Sequence, residues 1–530
     1  MSARELADLC ADLLTVPRGV LVTDLTLDSR TVSEGGLFLA CAGRRTHGLA
    51  SLEQAIARGV RAVLWEPAAG VEPPVVPPEV FAAPVAQLSR HASVIADRFF
   101  DTPSATLRVS GITGTNGKTT TAWLLAQALT RAGERSAYLG TLGVGIPAEG
   151  VVAGEYTTAD AVTVQRQLAQ MQQLGARSAA MEVSSHALDQ ARVDGVRFRV
   201  AAFTNLTRDH LDYHGSMEAY GEAKARLFTL PDVTERVINV DDAFGVNLAE
   251  RHIVAGELVL TARSAEGVLA ARRLREAATR LGDSVESLGN VESLGNVESL
   301  GNKVERVTVL AAREVRTTSR GLAFTLDWDG AYAVELPLIG EFNVDNVLTT
   351  LGVLHALGLA PAAALAALSG VSAPPGRMEA ISAPGRALAI IDYAHTPDAL
   401  AKALRAARAH CDGALHVVFG CGGDRDRGKR PMMASVAAEL ADQVVITDDN
   451  PRTESPAAIA AEVLGGIPAG VPVMVIHDRA EAIRSTLSRA RAGDAVLIAG
   501  KGHEDYQLIG TERRLFSDQQ VVRAVYAEAA

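Results

Sequence analysis

One ten-residue stretch constrains this chain more than any other: Gly111-Ile112-Thr113-Gly114-Thr115-Asn116-Gly117-Lys118-Thr119-Thr120. The apolar run from Leu107 to Ile112 reads as a buried strand leading in, and Thr119 to Ala132 reads as a helix leading out. Strand, glycine loop and helix in that order are the frame of a P-loop. Its glycines let backbone N–H groups curl around phosphate oxygens, and the helix N-terminus adds a favourable dipole. Gly114, Thr115, Asn116, Gly117, Lys118, Thr119 and Thr120 are therefore candidate contacts to a nucleoside triphosphate. Lys118 would reach the terminal phosphates, and the Thr119 hydroxyl would face Mg²⁺.

A single core does not fill a chain of 530 residues, so several domains are expected. The net charge of -11 argues against a general nucleic-acid binder. Met1 to Leu14 carries charges among its apolar residues and reads as an amphipathic helix rather than a signal peptide. No apolar run has the length a membrane span needs. Cys10, Cys41, Cys411 and Cys421 are scattered, as expected for reduced thiols in a cytoplasmic protein.

Up to about residue 103, Leu21 to Leu27, Leu37 to Cys41 and Val60 to Trp65 read as strands, with helices at Leu52 to Ala57 and Val85 to Phe100. Pro67 to Pro84 reads as a connector. From about 104 to 374 the pattern is the βα alternation of a mostly parallel sheet. The strand Ser178 to Val183 ends in Glu182, and Val200 to Asn205 leads to Asp209-His210. Both lie at the sheet's carboxyl edge, where ligands bind. Glu182 and His210 are candidate metal ligands; each alone reads equally well as a cap or a hydrogen-bonded side chain. Lys224, at helical spacing, reads as a solvated lysine. Val-Glu-Ser-Leu-Gly-Asn occurs three times in tandem over 285–302 and reads as an inserted loop. The remainder, 375–530, alternates strands and helices as a second doubly wound α/β domain. Its strands end in polar loops beginning at Asp392, Gly420, Asp448 and Gly500.

LDSR, GTNGKTT, MEVSSHAL, TNLTRDHLDYHG, GEFNVDNVL, PGRME, DYAHTPDAL, GCGGDRDRGKRP, DDNPR and AGKGHEDY follow one another in this order. Together they resemble the Mur ligase family of peptidoglycan precursor synthesis, over nearly the whole chain. The resemblance implies three domains: a UDP-binding α/β domain at 1–103, a central ATP-binding domain at 104–374 and a Rossmann-like amino-acid-binding domain at 375–530, with hinges near 103 and 374. It implies an ATP-dependent ligase that phosphorylates a carboxylate of UDP-N-acetylmuramoyl-L-Ala-D-Glu and lets an amino acid displace the phosphate. A carboxylate approaching a polyphosphate needs cations, which Lys118 and Mg²⁺ supply. Thr119, Glu182 and His210 match the family's metal-site positions. Lys224 matches a lysine that the family carbamylates with CO₂, which reverses the solvated-lysine reading. Leu27 and Ser29 match the uridine-binding turn, and the loop of Arg44, Arg45 and Thr46 matches positions that contact the nucleotide sugar. Thr157, Thr158, Ser184, Gln190 and Arg192 match positions holding the muramoyl dipeptide; Tyr156 departs from an Asn of some relatives. Asn343, Asn346, Arg377 and Asp392 match positions around ATP.

In the family, DNPR accompanies meso-diaminopimelate. Arg425 and Arg452 would fork onto its distal carboxylate, with Asp449, Asn450 and Pro451 alongside. Glu504 and the Gly500 carbonyl would take its distal ammonium. Lysine or ornithine addition and folylpolyglutamate synthesis are the rival enzyme readings. A partner-binding nucleotide switch is the rival from another class, but Asn302-Lys303-Val304-Glu305 lacks the Asp of a guanine motif. The family resemblance suggests a cytoplasmic monomer acting on small molecules.

Overall fold

The computed structural model describes residues 3–43, 46–253, 256–287, 307–318 and 321–528, with the backbone alone for 281–287. Arg44 and Arg45, the tandem repeat from residue 288 onward and Asn302 to Glu305 lie outside these residues. The chain packs into two units, Met1–Val309 with Thr349–Ala360, and Leu310–Leu348 with Pro361–Ala530.

In the first unit, the strands Leu25–Thr26, Leu37–Ala40, Ala62–Trp65 and Phe81–Pro84 form a small parallel sheet in that order. The connector from Pro67 therefore ends in an edge strand rather than remaining loop throughout. Pro84 is tolerated there because it ends the strand at the edge, where its missing N–H is not required. The apolar stretch from Leu21 breaks into two strands, Leu21–Val22 and Leu25–Thr26. The expected N-terminal helix shrinks to Leu6–Leu9. Arg4–Glu5 is drawn instead into an antiparallel pair with Leu21–Val22, while Leu6, Leu9 and Cys10 enter the core. That core continues without a break into Ala161, Val162 and Ala169 of the helix Ala161–Gln173.

The P-loop strand Arg108–Thr113 is flanked on both sides by parallel strands, Ser178–Glu182 and Phe198–Phe203. Ser136–Gly140 lies beyond the first, and Glu235–Asn239 and Glu257–Ala262 lie beyond the second. Two features depart from the parallel expectation. Gly143–Ile146 and Gly150–Val152 form an antiparallel hairpin on Ser136–Gly140. Val307–Thr318, Gly321–Asp327 and Ala331–Leu336 form an antiparallel meander. Val285 to Ser287, expected in a loop, end the helix Ala265–Ser287.

In the second unit a six-stranded sheet runs Glu379–Ile381, Leu388–Asp392, Ala495–Ala499, Leu415–Phe419, Gln443–Ile446 and Val473–Val475. The first pairs antiparallel with Leu388–Asp392, and every other pairing is parallel. Successive residues alternate between two cores: Val417 and Phe419 join one, and Val418 joins the other. Both faces are thus buried under helices, the signature of a doubly wound sheet. The chain passes from Leu388–Asp392 over Ala495–Ala499 to Leu415–Phe419, which places the strand-order reversal among the polar loops. Among the described residues no helix is long and apolar enough to cross a membrane.

Candidate active site

The P-loop is held by close backbone approach. Gly114 has φ +146°, and a Cβ there would lie 1.9 Å from Thr204 Oγ1. Thr115 N–H donates to the Asn205 carbonyl and Asn116 N–H to Asn205 Oδ1, at 2.8 and 3.0 Å. The helix Lys118–Arg131 starts directly after the loop. Lys118 Nζ folds back onto the Gly114 and Thr115 carbonyls, at 2.9 Å each. Thr120 opens the same helix.

Glu182 ends its strand fully buried. Its Oε2 accepts from Thr119 Oγ1 at 2.9 Å and from Thr141 Oγ1 at 3.2 Å. Its Oε1 accepts from the Tyr138 hydroxyl at 2.5 Å and from Thr141 N–H at 2.9 Å. A Cβ on Gly140 would lie 2.2 Å from that oxygen, so only glycine lets the carboxylate turn here. Each of these donors to Glu182 is neutral. A buried carboxylate served by neutral donors and bonded to the P-loop hydroxyl suits a hard divalent cation, which Mg²⁺ sites complete with phosphate and water. Thr119 and Glu182 thus fit that ion.

Lys224 is brought to the same loop from the helix Met217–Ala225. It is 1% exposed, and its Nζ donates to the Gly114 carbonyl at 2.8 Å. Two lysine amines therefore share one oxygen. Burial, and then the neighbouring Lys118 charge, hold the Lys224 amine well below the ordinary lysine range. The solvated-lysine reading is excluded. His210, at φ +51°, stands apart from Glu182's bonds: its ring lies 4.9 Å from that of His186 and 6.0 Å from that of Tyr220. Among the described residues no three His, Cys, Asp or Glu side chains are grouped to hold a metal.

Tyr138, Thr141 and Tyr220 were not found from the sequence. Tyr220 is buried, its hydroxyl 3.2 Å from Thr115 Oγ1 and its ring 4.4 Å from Lys224 Nζ. Only its helical spacing from Lys224 hinted at this.

A cavity of about 960 Å³ opens beside this region. Leu27, Asp28, Arg30, Tyr156, Gln190 and Arg192 line it. The Ser29 hydroxyl is instead turned inward onto Gln54 Oε1 at 2.7 Å. Thr46 is exposed, its carbonyl taken by Gly43 N–H at 3.1 Å. Arg192 joins Gln190 Oε1 to the Thr158 carbonyl, and Thr158 Oγ1 accepts from Ser184 N–H. Four of the dipeptide candidates thus form one network. Thr157 meets Thr141 Oγ1 at 3.0 Å.

In the other unit, Asn343 and Asn346 are buried and bonded to each other at 2.7 Å. Asp392 accepts from Met378 and Ala394 N–H groups, at 2.9 Å each. Burial raises its carboxyl above the usual range. Arg377 stacks on the Tyr393 ring at 5.0 Å.

The loops bearing Arg425 and Arg452 are laced together. Arg452, at φ +50°, donates from Nη1 to the Gly423 carbonyl at 2.8 Å, and Asp424 accepts from Thr453. Arg430, fully buried, binds both oxygens of Glu454 and reaches the Gly422 carbonyl. Arg425 itself is exposed. Asp449 and Asn450 are buried beside Lys501, and Pro451 is buried within the same loop. Gly500 N–H donates to the Asp392 carbonyl at 3.1 Å, which ties the last loop to the first.

A glycine loop between parallel strand and helix, with a buried carboxylate on its threonine, defines a P-loop nucleotide-binding protein of the α/β class. Its family follows from comparison with known proteins. The Mur ligase family catalytic domain matches residues 21–100, the Mur ligase middle domain 112–281, and the Mur ligase glutamate ligase domain 376–502. The UDP-N-acetylmuramoyl-L-alanyl-D-glutamate--2,6-diaminopimelate ligase of Ectopseudomonas mendocina is 44% identical over 94% of this chain and 94% of its own. That of Pseudomonas aeruginosa is 43% identical over 96% of each. A solved structure of a ligase of the same name, 32% identical, covers 100% of this chain and 99% of its own with a TM-score of 0.68. The chain belongs to the Mur ligase family.

Proposed function

We propose that this chain is the ATP-dependent ligase that adds meso-diaminopimelate to UDP-N-acetylmuramoyl-L-Ala-D-Glu. A carboxylate of the dipeptide attacks the terminal phosphorus of ATP and ADP departs, leaving an acyl phosphate. The amine of diaminopimelate then attacks the acyl carbon, and phosphate leaves as the amide forms. Residues 1–103 bind the UDP moiety, 104–374 ATP, and 375–530 the amino acid.

Lys118 leaves its loop carbonyls to meet the phosphates, and the Gly114 to Thr120 backbone cradles them. Thr119 and Glu182 would hold Mg²⁺, with His210 as a further candidate ligand, and the ion would supply positive charge where the two anions meet. Lys224 acts as its carbamate. Its depressed amine favours the neutral form that adds CO₂, losing one proton, and the anion so formed offsets the neighbouring Lys118 charge. Arg192, Gln190, Ser184, Thr157 and Thr158 orient the dipeptide, with Leu27 and Ser29 at the uridine and Arg44, Arg45 and Thr46 at the nucleotide sugar. Asn343, Asn346, Arg377 and Asp392 serve ATP. The protein works as a cytoplasmic monomer.

The observation that carries the choice of amino acid is the laced pair of loops presenting Arg425 and Arg452. Two guanidinium groups suit a substrate with a distal carboxylate, which lysine and ornithine lack. The test is phosphate release with the UDP-dipeptide, ATP and Mg²⁺, comparing diaminopimelate, lysine and ornithine. Turnover with diaminopimelate at least tenfold above the others supports the proposal; preference for either of the others refutes it.

A further inference from the structure

Lys501 has no part in the scheme above, yet its side chain is fully buried among Asp449, Asn450 and Glu504, which the family resemblance assigns to the amino acid. Its Nζ lies 3.3 Å from Asp449 Oδ1, 3.1 Å from Asn450 Oδ1 and 3.2 Å from Glu504 Oε2. An ammonium has three protons, and here it has three acceptors. Two carboxylates face this one cation. Arg479, another buried cation of the unit, is committed to Asp518 at 2.7 and 2.8 Å.

Asn450 has its orientation set from both ends. Its Oδ1 also accepts from Leu508 N–H at 2.9 Å, and its Nδ2 donates to Glu504 Oε2 at 3.0 Å. Lys501 and Asn450 therefore hold the same oxygen of Glu504. Among the described residues no hydrogen bond reaches the other oxygen, Oε1. Glu504 keeps 18% of its side chain exposed, while Lys501 keeps none. The two carboxylates and one cation sum to a single negative charge, which one incoming ammonium balances.

We propose that Lys501 is a positioning residue for the second amino group of the substrate: with Asn450 it pins Glu504 by Oε2 and so presents Oε1 to the distal ammonium. The inference rests on the reading that this unit takes diaminopimelate. It makes recognition of the distal amine depend on a side chain that never touches it. Without Lys501, Glu504 Oε2 keeps only its bond from Asn450 Nδ2, and two carboxylates face each other without the Lys501 counter-charge.

The test compares diaminopimelate with 2-aminopimelate, which keeps both carboxylates and the reacting amine but lacks the distal amine. Lys501→Met should lower kcat/KM for diaminopimelate about ten- to a hundredfold, the scale of a charged hydrogen bond. It should leave 2-aminopimelate, followed by turnover or by Ki against diaminopimelate, within about threefold on that same scale. The KM values for ATP and UDP-dipeptide should hold. In a Glu504→Gln background, adding Lys501→Met should change the ratio of the two substrates little, because the group it acts through is already lost. If Lys501→Met does not fold, Lys501→Gln carries the same comparison. Equal losses for both substrates, or full additivity with Glu504→Gln, would overturn the inference. Failure of the unaltered protein to use diaminopimelate would instead overturn the reading on which it rests.

Discussion

Replacing Lys224 tests the electrostatics of the P-loop directly. Lys118 and Lys224 lie 2.9 and 2.8 Å from the Gly114 carbonyl oxygen, so their nitrogens are at most about 6 Å apart. At an effective dielectric near 20, two like charges at that distance repel by about 3 kcal/mol. A carbamate on Lys224 turns the repulsion into an attraction of similar size. Three kcal/mol corresponds to about two decades of rate. Lys224→Ala should therefore lower kcat about a hundredfold or more. The alanine leaves a hole where the buried side chain stood, so formate or acetate should restore part of the rate. Lys224→Met fills the hole with an uncharged chain of similar length and should resist rescue. The assay is phosphate release at saturating substrates, with and without added carboxylate. An alanine variant within about threefold of the unaltered protein would refute the reasoning, since it calls for two decades; equal rescue of alanine and methionine would refute it as well.

Other expectations follow from single contacts. Arg452→Ala should raise the diaminopimelate KM about tenfold or more and leave the ATP KM unchanged, as measured by initial rates. Gly114→Ala should abolish ATP binding in calorimetry, because its Cβ would collide with Thr204 Oγ1 at a backbone angle alanine does not adopt. Tyr138→Phe removes a buried donor from Glu182 and should cost about 1–3 kcal/mol in denaturant unfolding while raising the Mg²⁺ requirement. The Arg430 guanidinium beside Glu454, helped by Asp424 N–H, pulls that carboxyl down to about 2. A depressed carboxyl stabilises the folded form above its ordinary value of 4.5, and the contribution is lost as pH falls from there towards 2. The protection factors of the amides at residues 420–428, corrected for intrinsic exchange, should accordingly fall below pH 4.5 in the unaltered protein, and in Glu454→Gln they should already be low at pH 6.

Much of the doubly wound architecture was legible because its code is local. Strands such as Leu415–Phe419 and Ala495–Ala499 are short apolar runs that end in polar loops, and period and punctuation suffice to place them. The antiparallel meander from Val307 was not read, and neither was the hairpin on Ser136–Gly140. Both pair strands consecutive in the chain across short turns, such as Gly140–Gly143 and Asp327–Ala331, and their residues were absorbed into the reading of a mostly parallel βα sheet. The N-terminal residues misled for a different reason: Arg4–Glu5 has helical company in sequence but a strand partner at Leu21–Val22 in space. Lys224 shows the limit most sharply, since spacing alone made it a solvated lysine and only the resemblance to a family argued otherwise.

The order of motifs along the chain determined its class and named most of the polar groups of its candidate site, because glycine loops and strand-end clusters carry their chemistry in consecutive residues. Tertiary structure decided which of those groups share a task. It set two lysines on the Gly114 carbonyl, brought Tyr138 and Thr141 to Glu182, and buried Lys501 beneath Glu504. Each of these is a contact between segments far apart in sequence or a matter of burial. Burial and charge proximity set how acidic or mobile a side chain is, and no residue's identity encodes them by itself.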